Sequence, residues 1–293
     1  MREYVIVTDS CCDLPQRLVE ELELTVVPLS VQLGEERFYN RPGEGPAPHE
    51  FYERLFKGES AQTSAPNVGE FKDYFRPILQ AGKDILYIAF TSALSATYQN
   101  GAIAVEELQE EFPEAKIFAV DSLCASLGQG LLVDLTVQEK RKCKTIEEVR
   151  DFAEGIKGKI HHWVTVGNLT QLRRGGRLSA SKAIFGSLLQ VKPIIHVDSK
   201  GRLVAVGTIK GRKKAIAHLV VQMAELIVAP EGQRCYIVNS DCTPEAEALA
   251  QVLKEKFPIS EVVIGDIGPV IGSHTGKDTI SVFFVGQERT SED

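Results

Sequence analysis

Hydroxyl-bearing side chains crowd into two short stretches of this 293-residue chain. Thr91-Ser92-Ala93-Leu94-Ser95-Ala96-Thr97 follows an apolar run and opens a helical pattern, and Gln62-Thr63-Ser64-Ala65-Pro66 forms a second set. Hydroxyls beside the free N–H groups of a helix start make a site for an anion. The same residues also serve as ordinary caps and turns. Arg173-Arg174-Gly175-Gly176-Arg177 offers guanidinium groups that can clamp a carboxylate or a phosphate, or simply lie in a solvated turn.

Gly268-Pro269-Val270-Ile271-Gly272-Ser273-His274-Thr275-Gly276 reads as a glycine-spaced loop carrying a single histidine. It is not a phosphate-cradling Walker loop. The spacing from Gly272 to Gly276 is one residue short, and Asp278 stands where a Ser or Thr is required. The dinucleotide-binding glycine pattern and the nucleophile elbow are both absent. His49, His161, His162, His196 and His218 show no metal-ligand spacing. An enzymatic alternative is a hydrolase or acyltransferase, with Ser95 or Ser92 as nucleophile, His274 as base and Asp9 or Asp121 orienting it. A second alternative is a sensor of a small anionic metabolite.

These groups need elements to position them. Tyr4–Thr8, Thr25–Val31, Asp84–Phe90 and Lys116–Val120 read as strands, and 13–22, Glu50–Phe56, Val68–Leu79, Ser95–Phe112 and Leu127–Val137 as helices. Thr145-Ile-Glu-Glu148 is a capping box. Glu35–Pro48, rich in Pro, Gly and charge, reads as a loop. Strands alternating with helices predict a mostly parallel sheet covered on both faces. The second half adds strands at His162–Val166, Glu261–Asp266 and Thr279–Val285, and a hairpin of Pro193–Val197 with Leu203–Ile209. Its expected helices are Ala180–Leu189, Arg212–Ile227 and one capped by Thr243. Three strand ends, Thr8-Asp9-Ser10, Val120-Asp121-Ser122 and Val238-Asn239-Ser240, lie at the edge where open α/β sheets bind ligands, though helix caps and Asx-turns alone are the simpler explanation.

Composition bounds the rest. Hydrophobic residues make up 43% and the net charge is −7, so the chain is globular and a poor match for a nucleic-acid backbone. Six cysteines without zinc spacing, and no visible secretory signal, point to reduced thiols in a cytoplasm. Cys11-Cys12 is either a reactive pair or two small residues in a turn. We expect two domains, an α/β domain over 1–160 and an α+β domain with a mixed sheet over 161–293.

Taken in order, several of these segments resemble the DegV family of bacterial fatty-acid-binding proteins. They are Thr8–Pro15, Val27-Pro28-Leu29, Thr63–Pro66, Thr91–Gln99, Val120–Ser122, Leu172–Arg177 and Gly268–Gly276. The resemblance implies two α/β lobes with one long-chain fatty acid buried between them. It implies a carboxylate held by Thr63, Ser64, Ser92 and Ser95, with Arg174 and His274 nearby. It also implies an acyl-carrying subunit of a fatty acid kinase, not an enzyme by itself, with no cofactor beyond the lipid. The partners so implied are the fatty acid, an ATP-using kinase subunit and, transiently, a membrane surface, with no nucleic acid. The chain departs from the family pattern at Gly276-Lys277-Asp278, where Gly-Pro-Gly is usual, and at Ser95-Ala96-Thr97, where Ser-Gly-Thr is usual. Asn40–Pro48 also differs. Candidates to line the tail are Phe185, Leu188, Leu189, Ile194 and Ile195, which otherwise read as core. Burying each CH₂ contributes about 0.8 kcal/mol, so some fifteen offer on the order of 10 kcal/mol before ordering costs.

Overall fold

The structure is a computed structural model that describes residues 2–167, 169–179 and 191–291. The elements of the first half are β1 (Tyr4–Asp9), α1 (Gln16–Glu21), β2 (Thr25–Val27), β3 (Ser30–Leu33), β4 (Glu36–Tyr39), α2 (Pro48–Phe56), β5 (Ala61–Ser64), α3 (Val68–Gln80), β6 (Asp84–Ala89), α4 (Thr97–Glu111), β7 (Ile117–Asp121), α5 (Leu127–Lys140) and α6 (Ile146–Ile156). There follow β8 (Ile160–Thr165), α7 (Thr170–Arg174), β9 (Leu178–Ser179), β10 (Val191–Val197), β11 (Leu203–Lys210), α8 (Arg212–Leu226), β12 (Arg234–Asn239), α9 (Thr243–Lys256), β13 (Glu261–Asp266), α10 (Pro269–Thr275) and β14 (Ile280–Val285).

Three sheets form among the described residues. A parallel sheet runs β2-β1-β6-β7, a mixed sheet runs β13-β12-β14-β8-β10-β11-β9, and a small antiparallel sheet runs β4-β3-β5. The fold is mixed α/β. Every residue of β6 is buried, as a strand covered on both faces must be. Ile85 and Tyr87 pack with Phe71, Phe75 and Leu108 of α3 and α4, while Leu86 and Ile88 face Leu131, Leu132 and Val149 of α5 and α6.

The expected strand Thr25–Val31 is two strands. Pro28 lacks the N–H needed to continue a ladder, so Thr25–Val27 joins the parallel sheet and Ser30–Leu33 crosses into the small one. The expected loop Glu35–Pro48 contains β4, which closes a hairpin with β3. Gly268–Gly276 is not a loop but helix α10. Pro269 starts it, and Gly276, at φ +74°, ends it. Ser273 and Thr275 turn their hydroxyls onto the carbonyls of Pro269 and Ile271, hiding the helical period behind polar residue types. The helix expected to be capped by Thr243 begins at Thr243 itself, with Asn239 Oδ1 accepting from the Cys242 N–H just before it. The expected helix Ala180–Leu189 lies outside the described residues.

Helix α5 is the hub. It packs on β12, β14 and β8 of the mixed sheet and on β1 and β6 of the parallel one. Asp134 ties it to the mixed sheet, accepting from Tyr236 Oη at 2.7 Å and Arg234 Nη1 at 3.0 Å. Removing this carboxylate leaves the buried Tyr236 phenol without its acceptor and takes one of two carboxylates from the partly buried Arg234, which keeps Glu261 at 2.8 Å. Asp134→Ala is therefore expected to lower the unfolding free energy by about 3 kcal/mol, and Asp134→Asn by clearly less. Urea denaturation followed by circular dichroism measures both; equal loss in the two variants would contradict this account.

Candidate functional site

A cavity of about 240 Å³ lies between the parallel and mixed sheets. Its floor is one face of the mixed sheet. Strand alternation brings His162, Val164 and then Val166 just past β8, with Ser281 and Phe283 of β14, Ile195 and Val197 of β10, and Val238 of β12, to this face. Register aligns Val238, Ser281, Val164 and Ile195 in one row across four strands. Cys11, Leu29, Phe90 and Ala125 supply the opposite wall, and Ile267, Val270 and Ile271 close a side from α10 and the turn before it.

Most polar groups on these walls are turned back into the protein. Ser281 donates to the Trp163 carbonyl, Thr279 to that of Gly276, and Thr275 to that of Ile271. Ser126 Oγ donates to Asp13 Oδ2 at 2.6 Å, and the other Asp13 oxygen receives the Gly268 N–H at 3.0 Å. Burial pushes the Asp13 carboxyl up to about 7, against the pull of those two bonds. His162 accepts from the Ala125 N–H at Nε2, so its Nδ1 proton faces the Ile160 carbonyl at 3.0 Å. Burial holds this imidazole neutral, well below the usual histidine range, with the nearby Arg289 charge acting in the same direction. The interior therefore presents carbon.

One end differs. There Thr63, Ser95, Ala96, Arg177 and His274 line the cavity together. Thr63 Oγ1 lies 2.9 Å from His274 Nε2, joining β5 of the small sheet to α10. Ser95 Oγ lies 2.8 Å from Thr97 Oγ1 and accepts from the Thr97 N–H at the start of α4. Arg177 donates to the carbonyls of Leu94 and Gly175, which sets a fixed cation beside these hydroxyls. Gly175 has a further role: a Cβ there would run into His274 Nδ1, so only glycine lets the imidazole lie against the end of α7. Burial drives the His274 imidazole down to about 4, helped by the Arg177 charge, so the ring is neutral near pH 7. Thr63, Arg177 and His274 also line an outer polar pocket of about 410 Å³, bordered by 58–62, Gln171, Arg174, Gly175 and Ser273.

The expected site residues thus divide. Thr63, Ser95 and His274 come together. Ser64 does not, because strand alternation in β5 turns it outward and exposed when Thr63 points in. Ser92 is exposed on the turn after β6, where its N–H is held by Asp121 Oδ1. Arg174 borders only the outer pocket, and Arg177 is the arginine on the cavity. Of the tail candidates, Ile195 lines the cavity. Ile194 faces the opposite side of β10 and packs with Trp163 and Leu219. Phe185, Leu188 and Leu189 lie outside the described residues. Ala96 sits at φ −73°, a conformation that suits alanine as well as glycine. Sequence reasoning missed His162 and Phe283, whose signal was present as period-two alternation in their strands.

The serine-enzyme geometry is not assembled. Ser95 is bonded to Thr97 and His274 to Thr63. Asp9 is held by Tyr87 Oη and the N–H groups of Phe90 and Cys11, and Asp121 by those of Ser92 and Leu123. Cys11 and Cys12 are buried thiols whose pKa burial raises, the state of inert cysteines. No helix among the described residues is long and apolar enough to cross a membrane.

Fold and site together define a mixed α/β protein with an apolar cavity between its parallel and mixed sheets and a polar mouth. The chain belongs to the DegV family, whose profile, described as "Uncharacterised protein, DegV family", matches residues 3–287. It is 40% identical over 289 residues to a DegV domain-containing protein of Clostridium perfringens, covering 99% of each chain. A DegV family protein of Thermus thermophilus, solved in a study of its fatty acid binding, superposes with a TM-score of 0.88 at 29% identity, covering 98% of this chain and 100% of that one. DegV of Bacillus subtilis, described as a fatty acid binding protein, superposes with a TM-score of 0.84 at 27% identity over 98% of this chain and all of its own.

The neutral His274 gives a pH prediction. Its pKa is depressed in the folded state, so the unfolded chain takes up the proton first as pH falls. The associated stability is present above about 6.5 and is lost as pH falls from there toward 4. His161, lowered to about 4 by burial, and His162 act in the same sense, so the difference between wild type and His274→Gln isolates the residue. The variant should lose less stability between pH 7 and pH 4.5 in urea titrations at the two values. An identical pH dependence would show that His274 titrates normally.

Proposed function

We propose that this protein binds one long-chain fatty acid, with the alkyl tail in the cavity and the carboxylate at the mouth beside Thr63, Ser95, Arg177 and His274. The observation that carries this reading is the sorting of polarity: the interior groups bond back into the protein, while hydroxyls, a neutral imidazole and a guanidinium gather at one end. An apolar chain needs the first and a carboxylate the second. The fatty-acid binding described for the relatives from Thermus thermophilus and Bacillus subtilis supports it.

In this reading the protein carries substrate for a separate kinase that uses ATP. A carboxylate oxygen attacks the γ-phosphorus, the bond from that phosphorus to ADP breaks, and acyl phosphate and ADP result. The outer polar pocket beside Arg174 is where a phosphoryl donor would approach. Arg177 stabilises the carboxylate before transfer, and the neutral His274 donates or accepts one hydrogen bond with Thr63 without adding a second charge.

Native mass spectrometry of freshly purified protein, followed by solvent extraction, tests the ligand. One bound mass of about 250–290 Da, recovered as fatty acid, is the expected result for a site enclosing one long chain. A protein that is empty and fails to take up added oleate or palmitate would overturn the reading. Thr63→Val, Ser95→Ala and Arg177→Ala should each weaken retention about tenfold, as expected for a lost hydrogen bond to a charged group. Unchanged acyl content in all three would remove the head-group assignment.

A further inference from the structure

The floor of the cavity has a beginning and an end. From the mouth inward, β14 and the residue before it place Thr279, Ser281 and Phe283 on the cavity face, while Val166, Val164 and His162 run alongside. Thr279 to Phe283 is four residues, or about 13 Å of strand. At the third row the register pairs Tyr236 with Phe283 and Phe283 with His162. This is also where α5 descends onto the sheet. Tyr236 is bonded to Asp134 of α5, and Gly128, in the first turn of α5, meets His162 so closely that a Cβ would collide with Nε2.

The wall at this row is built to stay put. Both ring nitrogens of His162 are bonded, to the Ala125 N–H and the Ile160 carbonyl, so the ring cannot turn without leaving buried polar groups unpaired. The Phe283 ring stands edge-on to it, with centroids 5.3 Å apart and planes at 81°. Phe283 is 2% exposed and His162 1%. Val238 and Ser281, one row nearer the mouth, are smaller and leave the space open.

We propose that the Phe283–His162 pair is the chain-length stop of the acyl site and sets the longest tail the cavity accepts. This rests on the fatty-acid reading above and assigns its specificity. The tail's terminal methyl meets a rigid aromatic edge backed by α5, so each further carbon must bend or leave the head group unseated.

The test uses full-length protein, stripped of lipid and incubated with an equimolar mixture of saturated fatty acids from twelve to twenty carbons, with bound species read by native mass spectrometry. Wild type should show an optimum with a sharp fall on the long side. Phe283→Ala should shift that optimum upward by about two to four carbons, because truncating a buried Phe opens a cavity next to the tail. Val164→Phe, one row nearer the mouth, should shift it downward. Should Phe283→Ala fail to fold, Phe283→Leu gives a smaller upward shift and Val164→Phe remains decisive. Wild type that takes up none of the acids removes the fatty-acid reading itself. Wild type that binds, with the distribution unmoved in the folded variants, overturns the stop while leaving that reading intact.

Discussion

A cavity walled by two sheets can stay apolar only if its walls carry no unpaired donor or acceptor, and most of this structure is arranged around that constraint. An orphaned buried polar group costs on the order of 1–3 kcal/mol. Asp13 shows how the constraint is met. It receives the hydroxyl of Ser126 and the N–H of Gly268, so one carboxylate removes a wall hydroxyl from the cavity and pins the starts of α5 and α10 together. His162 does the same with two nitrogens and two backbone groups. The groups that would make the cavity wet are the ones that hold its walls in place.

The second organising fact is the period of two in a strand. It separates Thr63 from Ser64, Ile195 from Ile194 and His162 from Trp163, each time sending one residue to the cavity and its neighbour to solvent or to the core under α8. A one-residue slip in β5 would replace the Thr63–His274 bond with an exposed threonine. The site therefore depends on the register of three strands from two different sheets, and α10 joins them by packing against β5 and α7 at once.

Charge at the mouth follows from burial. Burial, helped by the nearby Arg177 guanidinium, keeps His274 neutral. One fixed cation facing one proposed carboxylate is a balanced pair; a second cation without a partner would be expensive in so closed a place. Arg174 stays outside, where water solvates it.

The βα alternation, the capping box at Thr145, the buried strand at β6 and the hydroxyls of Thr63 and Ser95 were legible in the sequence because each rests on local periodicity or on a residue type with few uses. The segments that resemble DegV proteins were legible as an ordered set. Other features needed the fold. Helix α10 escaped because its glycines and back-bonded hydroxyls imitate a loop. The break at Pro28 was visible as a residue, but not where the second piece would go. Which of Arg173, Arg174 and Arg177 meets the cavity depends on the carbonyls of Leu94 and Gly175 that orient the guanidinium, and those come from contacts about 80 residues apart and two residues apart respectively. The sequence alone determined which chemical groups were available and which elements would carry them. The tertiary structure decided which faces met, because register and long-range hydrogen bonds are set by packing between segments that no local pattern relates.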